Sequence, residues 1–439
     1  MRRRLGLASR VRHVAFVRYR PVALTVFVLA TLFGCSGPAS GPTITVQGRV
    51  EAPLVGPLAN VLVHLQGKLT ATGADGTFRV EDVSVPYTVT LGVAGSEPWV
   101  HAFEGLTTPT PVLAPRVATT GPAGFSTVLR GAVSGGAQLP EDEMVLVCVE
   151  GVDVAAVGCG RAYGEETTYG TLVTWTGSAA VSVRVHALRM RVTPAGWPIA
   201  YLGRTSYAPM TLTHMVEAER DVVPIGPMGD IVAAQGAVTV AGGGVLELVV
   251  VGVPVSDTLS LPVYVGPWPA GETTIALPDY GGVGFHVAAR GAFGGQKANA
   301  GATFAAGEVF GLSLRAPPVL VSPDVDAPGV TTATPFTVLE DAAVARQFHW
   351  VPTIAGSAPR VTLTTTRTTA YLPDAAVLGM NLEVGNNYFW DVRSIDAADL
   401  ATAVRVAGVD VFTTGAGGPG PETRAGMAAG EARRFTLAP

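Results

Sequence analysis

Thr43-Ile44-Thr45-Val46-Gln47-Gly48-Arg49-Val50 alternates apolar and polar side chains with a period of two. That is the pattern of a strand that buries one face and wets the other. The motif is echoed in Leu129-Arg130-Gly131-Ala132-Val133 and again in Ala234-Gln235-Gly236-Ala237-Val238. The three glycines lie 83 and 105 positions apart. Such intervals suit tandem sandwich domains of about 100 residues and are too long for a solenoid repeat. An echo only three residues deep fits coincidence nearly as well as common descent. Composition agrees with many short strands between turns: of 439 residues, 54 are Gly and 33 Pro, and only 14% are charged, too few for long solvated helices. The expected fold class is all-β, a series of tandem β-sandwich domains after an N-terminal signal peptide.

The signal is read at residues 1–34. Arg2, Arg3, Arg4, Arg10, Arg12, Arg18 and Arg20 precede the apolar run Val22–Phe33, with no acid among them. The run is shorter than the about 20 residues needed to span a bilayer but has the length of a secretory apolar segment. Leu32-Phe33-Gly34-Cys35 resembles a bacterial lipobox, with Phe33 bulkier than the usual spacer. The resemblance implies cleavage before Cys35 and acylation of its thiol. The rival readings are an ordinary signal cut near Gly34 and an uncleaved anchor. Without residues 1–34 the chain holds 22 basic and 34 acidic residues, a net charge of −12, and its lysines are Lys68 and Lys297 alone. An acidic body without basic clusters argues against nucleic-acid partners and anionic lipid surfaces. Residues 35–42 are a small Gly/Pro tether.

Residues 43–118 form the first block. After the opening strand come Val61-Leu62-Val63-His64-Leu65 and Ala74-Asp75-Gly76-Thr77-Phe78-Arg79-Val80, where Asp-Gly signals a tight turn. Gly48, Pro57-Leu58, Val61, Val63, Asp75-Gly76, Phe78, Val83 and Tyr87 together resemble the carboxypeptidase regulatory-like domain. That resemblance implies a seven-stranded prealbumin-like β-sandwich with an accessory role and no peptidase activity. Asn60 and Pro86 replace two glycines of that family. Asn still suits left-handed backbone, whereas Pro86 implies a different corner.

Residues 119–225 are a second block, with Val147-Cys148-Val149 and Gly158-Cys159-Gly160 spaced as the two arms of a hairpin. Outside the cytoplasm the expected product is a Cys148–Cys159 disulfide. The rival, a metal pair, lacks further ligands at suitable spacing. Residues 226–315 are a third block. Ala241-Gly242-Gly243-Gly244 reads as a turn, and the apolar run Val245–Val255 as a buried strand. Trp197 and Trp268 lie beside Gly or Pro and so on loops. With Tyr201 and Tyr280 they are the candidate ligand-binding aromatics, either stacking on sugars or peptides or simply covering sandwich ends.

In residues 316–415, Trp350 falls in an early strand and Leu382, Gly385, Tyr388, Trp390 and Val392 follow late. This is similar to fibronectin type III domains, in which the Tyr pins a corner and the early Trp packs the core. Asp324 and Asp326, or Asp396 and Asp399, are too few for a calcium site and read as solvated turn residues. Residues 416–439 read as a flexible tail, with Arg434-Phe435-Thr436-Leu437 able to add an edge strand.

Local catalytic motifs are missing: the sequence has neither His-Glu-x-x-His nor Gly-x-Ser-x-Gly, and His64, His101, His186, His214, His286 and His349 are scattered. Glu141-Asp142-Glu143 reads as a solvated loop. The expectation is a non-enzyme without cofactor or metal. It would be an exported, lipid-anchored protein of the cell envelope, at the outer membrane or cell surface, with a structural or interaction role. The alternative is a module binding carbohydrate, peptide or envelope proteins through loop aromatics, and a hydrolase accessory is a remote third reading.

Overall fold

The computed structural model describes residues 43–52, 56–94, 97–115, 124–152, 154, 156–175, 177–194, 196, 198–224, 231–254, 260–268, 271, 273–278, 284–305, 307–339, 343–354, 358–406, 425–429 and 432–438. They form an almost purely β structure of tandem sandwiches.

The first unit contains β1 (Thr43–Ala52), β2 (Gly56–Pro57), β3 (Leu62–Leu65), β4 (Lys68–Ala71), β5 (Thr77–Ser84), β6 (Tyr87–Val93), β7 (Trp99–Leu106) and β8 (Val112–Leu113). β5-β1-β8 make one sheet and β4-β3-β6-β7 the other, with β1 and β8 parallel. Along β1, Val46, Gly48 and Val50 point inward, as the alternation requires. Gly76 and Asn60 both take positive φ (75° and 58°), as read from the sequence, and the Pro86 corner is a cis peptide.

The second unit contains β9 (Phe125–Ala132), β10 (Glu143–Gly151), β11 (Ala156–Tyr163), β12 (Thr168–Trp175), β13 (Ala180–Val192), β14 (Pro198–Ser206), β15 (Met210–Thr213) and β16 (Ala218–Glu219). The third contains β17 (Ile231–Val240), β18 (Val245–Pro254), β19 (Ser260–Gly266), β20 (Thr273–Pro278), β21 (Phe285–Phe293), β22 (Gln296–Phe304) and β23 (Val309–Leu314). Both repeat the strand order of the first unit: β12-β9-β16 with β11-β10-β13-β14, and β20-β17-β23 with β19-β18-β21-β22. The opening strand again runs parallel to the closing one in each. In the second unit β11 also pairs with β12, which joins its two sheets.

The shared topology gives the glycine echo a physical reason. A Cβ on Gly131 would stand 2.0 Å from the Arg220 carbonyl oxygen, and one on Gly236 2.4 Å from the Phe310 ring. On Gly48 it would meet the Phe78 ring at 2.3 Å and Pro111 at 3.1 Å. In each unit the first strand keeps a glycine where the closing segment or a core aromatic crosses it. The run from Val245 is a buried strand as expected, with Val249 to Val253 inside.

The fourth unit contains β24 (Leu320–Ser322), β25 (Ala327–Val330), β26 (Phe336–Val338), β27 (Ala345–Pro352), β28 (Arg360–Thr365), β29 (Thr369–Ala370), β30 (Asn387–Asp396), α1 (Leu400–Val406), β31 (Ala425–Ala429) and β32 (Arg433–Leu437). β24-β26-β29 face β28-β27-β30-β32, and β25 runs parallel to β32. This is a fibronectin type III-like arrangement. Trp350 and Trp390 pair across β27 and β30 around Phe336. The Glu383 N–H donates to the Tyr388 hydroxyl at 3.3 Å.

One expectation is corrected in part. The flexible tail read at residues 416–439 contains β31 and β32, which complete the fourth unit; β32 is the strand that Arg434–Leu437 was expected to add, and Phe435 is fully buried against Tyr388. The tandem blocks are also joined to one another through their sheets. β7 of the first unit pairs with β28, and β22 of the third pairs with β31. One sheet therefore runs β19-β18-β21-β22-β31-β30-β27-β28-β7-β6-β3-β4 through three units. The second unit joins by a face. Met144, Leu146, Leu188, Met190 and Tyr201 share a core cluster with Val249, Leu261 and Phe310. This is why β10 is an almost unbroken apolar run: it is covered on both sides.

Candidate functional site

Cys35, Trp197 and Tyr280 lie outside the described residues. Cys148 and Cys159 stand directly opposite on β10 and β11 and are joined as a disulfide, their Cα atoms 4.2 Å apart. Tyr201 lies in β14 and is 6% exposed, inside the core shared by the second and third units. Trp268 follows β19 on a loop, yet it too is 6% exposed. Its ring meets Tyr264 and Phe310 edge-on, at 6.0 and 5.5 Å. Gly and Pro beside an aromatic mark a turn, and they do not say which way the ring points. These two side chains cover the core and offer no ring face to a ligand.

The acids weighed for calcium have other partners. Asp326 pairs with Arg434, Asp396 with Arg315 at 3.0 Å, and Asp399 accepts the Thr402 N–H at the start of α1. Glu143, read as a solvated loop residue, is instead buried at the start of β10 against Arg189. Among the described residues no group of His, Cys, Asp or Glu is arranged to hold a metal ion. No described helix is long and apolar enough to cross a membrane, which says nothing of β-barrels.

Beside the disulfide, the register lines up Cys159, Cys148, His186 and Ser206 across four strands. His186 Nδ1 lies 2.9 Å from Ser206 Oγ, and Nε2 lies 3.0 Å from the buried Glu150 carboxylate. Arg184 approaches the same carboxylate at 3.6 Å. Burial pushes the His186 pKa down, the Glu150 hydrogen bond and charge oppose this, and Arg184 and Arg204 add to it. The row can pass a proton between an exposed hydroxyl and a buried carboxylate. Its evident structural task is to satisfy Glu150, which would be costly to bury alone.

Among the described residues, an open groove lies at one end of the fourth unit. Tyr371, just after β29, is 52% exposed. It borders this groove of about 750 Å³ with Thr332, Pro373, Asp374, Asn381 and Leu382. That size is ordinary for small-ligand sites. Asp374 accepts the Ala376 N–H at 3.0 Å and so caps the 3-10 turn Ala375–Leu378, which Gly379 closes at φ 73°. The groove floor is thus a capped 3-10 turn, with one aromatic face and two amide or carboxylate groups beside it. Nothing in the sequence around Tyr371 showed that its ring would be exposed.

No protein-family model matches the sequence, and no curated protein matches it. Among solved structures, a leucine-rich repeat protein from Bacteroides thetaiotaomicron aligns at 7% identity and TM-score 0.16, covering 44% of this chain and 26% of that one. The chain therefore spans well under two thirds of that structure. A streptococcal ancillary pilin aligns at 13% identity and TM-score 0.15, covering 62% of this chain and 99% of its own. The FN1–FN3 domains of chicken CNTN1 align at 8% identity and TM-score 0.13, covering 60% and 93%. Superposition this poor supports no inference, and the architecture rests on the strand order itself.

Proposed function

We propose that this chain is a lipid-anchored protein of the bacterial cell envelope that holds a ligand-contacting unit on a stiff β scaffold, and that it is not an enzyme. The observation that carries the reading is the sheet running unbroken through three units. A chain of flexibly joined modules has no such sheet, and a scaffold that must hold its shape away from a surface benefits from one. The first three units share one strand order, and we read all three as prealbumin-like sandwiches of the carboxypeptidase regulatory-like kind. Cys35, at the end of Leu32-Phe33-Gly34-Cys35, supplies the anchor. Cys35→Ser should leave the protein unacylated and in the soluble fraction. Retention of that variant in membranes after high-salt washing would sink the anchor.

The contact itself is assigned to the Tyr371 groove, in place of the buried Tyr201 and Trp268. An exposed tyrosine beside Asp374 and Asn381 suits a carbohydrate ring or an extended peptide. A glycan array and an envelope pull-down with the mature body test this. Binding should be lost in Tyr371→Ala and unaffected in Leu172→Ala, a comparably exposed site on β12 of the second unit. Equal binding by both variants would remove the groove from the proposal.

A further inference from the structure

Three polar side chains meet at the seam between the first and fourth units, and none has a role in the reading above. Gln347 on β27 stands directly opposite Thr364 on β28, and β28 runs parallel to β7, which carries His101. Thr364 Oγ1 lies 2.9 Å from His101 Nε2 and 3.5 Å from Gln347 Nε2. Gln347 and Thr364 are 0% exposed and His101 is 1% exposed. The imidazole is stacked on Phe103, with ring centroids 4.0 Å apart and planes 16° apart. The result is a hydroxyl, a primary amide and an imidazole locked together in a site closed to water.

We propose that Thr364 and Gln347 join in an intramolecular ester cross-link, formed once per chain with His101 as the base. The Thr364 hydroxyl donates to His101 Nε2 and gives up its proton there as Oγ1 attacks Gln347 Cδ, forming the new C–O bond. The tetrahedral intermediate then breaks its C–N bond. Nε2 takes the proton back from His101 and leaves as ammonia. The product is an ester between Thr364 Oγ1 and Gln347 Cδ, with the imidazole neutral as before. No electrons are transferred and no co-reactant is needed.

The geometry answers the two objections to such a reaction. Amides resist alcohols because resonance stabilises the C–N bond and the nitrogen leaves only when protonated, and in water hydrolysis competes. Here the three groups are held in one buried cluster, which raises their effective concentration, and the proton taken up by His101 is the one the leaving nitrogen needs. The absence of water protects the ester once it has formed. Burial holds the His101 pKa down at about 3, so the imidazole is neutral and able to accept the proton. The same low basicity makes the step slow, which is tolerable in a reaction that occurs once. Because His101 belongs to the first unit and both reacting groups to the fourth, the bond forms only after the seam has closed.

The test is peptide mass analysis of the full chain, denatured and reduced before cleavage at aspartates. This yields a single peptide, 341–373, that contains both residues. It should be lighter than its sequence mass by one ammonia, with no backbone fragments released between Gln347 and Thr364. Hydroxylamine should open it, leaving a hydroxamate at Gln347 and a free Thr364. A peptide of full sequence mass from the folded chain would overturn the proposal, and so would an ammonia loss mapped elsewhere. Thr364→Val must abolish the mass difference. His101→Gln, verified as folded by circular dichroism, should slow its appearance at least tenfold. An unchanged rate in that variant would overturn the role given to His101.

Discussion

At the scale of single residues, the glycines that open the first three units make the sharpest claim. Gly131 is the strictest, because the atom its side chain would meet is the backbone oxygen of Arg220, which cannot rotate away. Gly131→Ala should therefore cost about 1–3 kcal/mol in urea denaturation, the usual penalty for overpacking. Gly135→Ala, in an open turn, should not show that packing penalty. Tyr388→Phe should cost about 1 kcal/mol, since the Glu383 N–H loses its acceptor. The buried histidines make a further prediction. Burial lowers His286 to about 4 and His101 to about 3, against an ordinary 6.5. Between pH 6.5 and about 4 the unfolded chain binds protons that the folded chain refuses, so stability must fall as pH falls. Each histidine contributes about 1.4 kcal/mol per pH unit over that window. His286→Gln should flatten the measured slope, and an unaltered slope would mean that His286 titrates normally when folded.

At the scale of elements, the sequence showed strands far better than it showed their neighbours. Period-two alternation located β1, and the continuous apolar run gave β18, because a strand's burial is written in its own side chains. The last strand was read only as an edge that Arg434–Leu437 could add, because the Gly/Pro-rich stretch before it suggested a flexible tail. Composition reports how a segment begins, whereas Phe435 is held by Phe336 and Tyr388, both distant in sequence. A fragment of residues 316–415 would lack β31 and β32 and leave one side of β30 open. It should be poorly structured, while 316–438 should show β-rich circular dichroism and a cooperative melt. Equal folding of the two fragments would mean that β32 is an accessory edge. Site residues were legible only where chemistry is local: Cys148 and Cys159 lie 11 positions apart in one hairpin. Gln347, Thr364 and His101 come from three strands and two units, and no spacing rule links them. Tyr371 was missed for a related reason, since exposure depends on what packs nearby.

At the scale of the whole molecule, the question is whether the shared sheet couples the units or merely lets them touch. The fourth unit alone would expose β28 and β31 as open edges, which invite pairing with other chains. In the full molecule β7 and β22 occupy those edges, and side chains reinforce the β7 seam: Thr365 donates to Glu104 at 2.8 Å, and Arg367 lies 3.2 Å from the same carboxylate. Gly92 on β6 offers a way to test coupling without touching either sheet edge. A Cβ there would stand 2.6 Å from Leu378 and 2.8 Å from Met380, both of the fourth unit, and 3.0 Å from the Trp99 carbonyl oxygen. Gly92→Leu would therefore drive a wedge between the first unit and the 3-10 turn of the fourth. If the sheet couples them, hydrogen exchange in the full-length variant should quicken in β6 and β7 and equally in β27 and β28. The loss should be about 1–3 kcal/mol in each. Were exchange to quicken in the first unit alone, the two units would be independent sandwiches whose strands happen to abut. The stiffness attributed to the scaffold would then have to come from elsewhere.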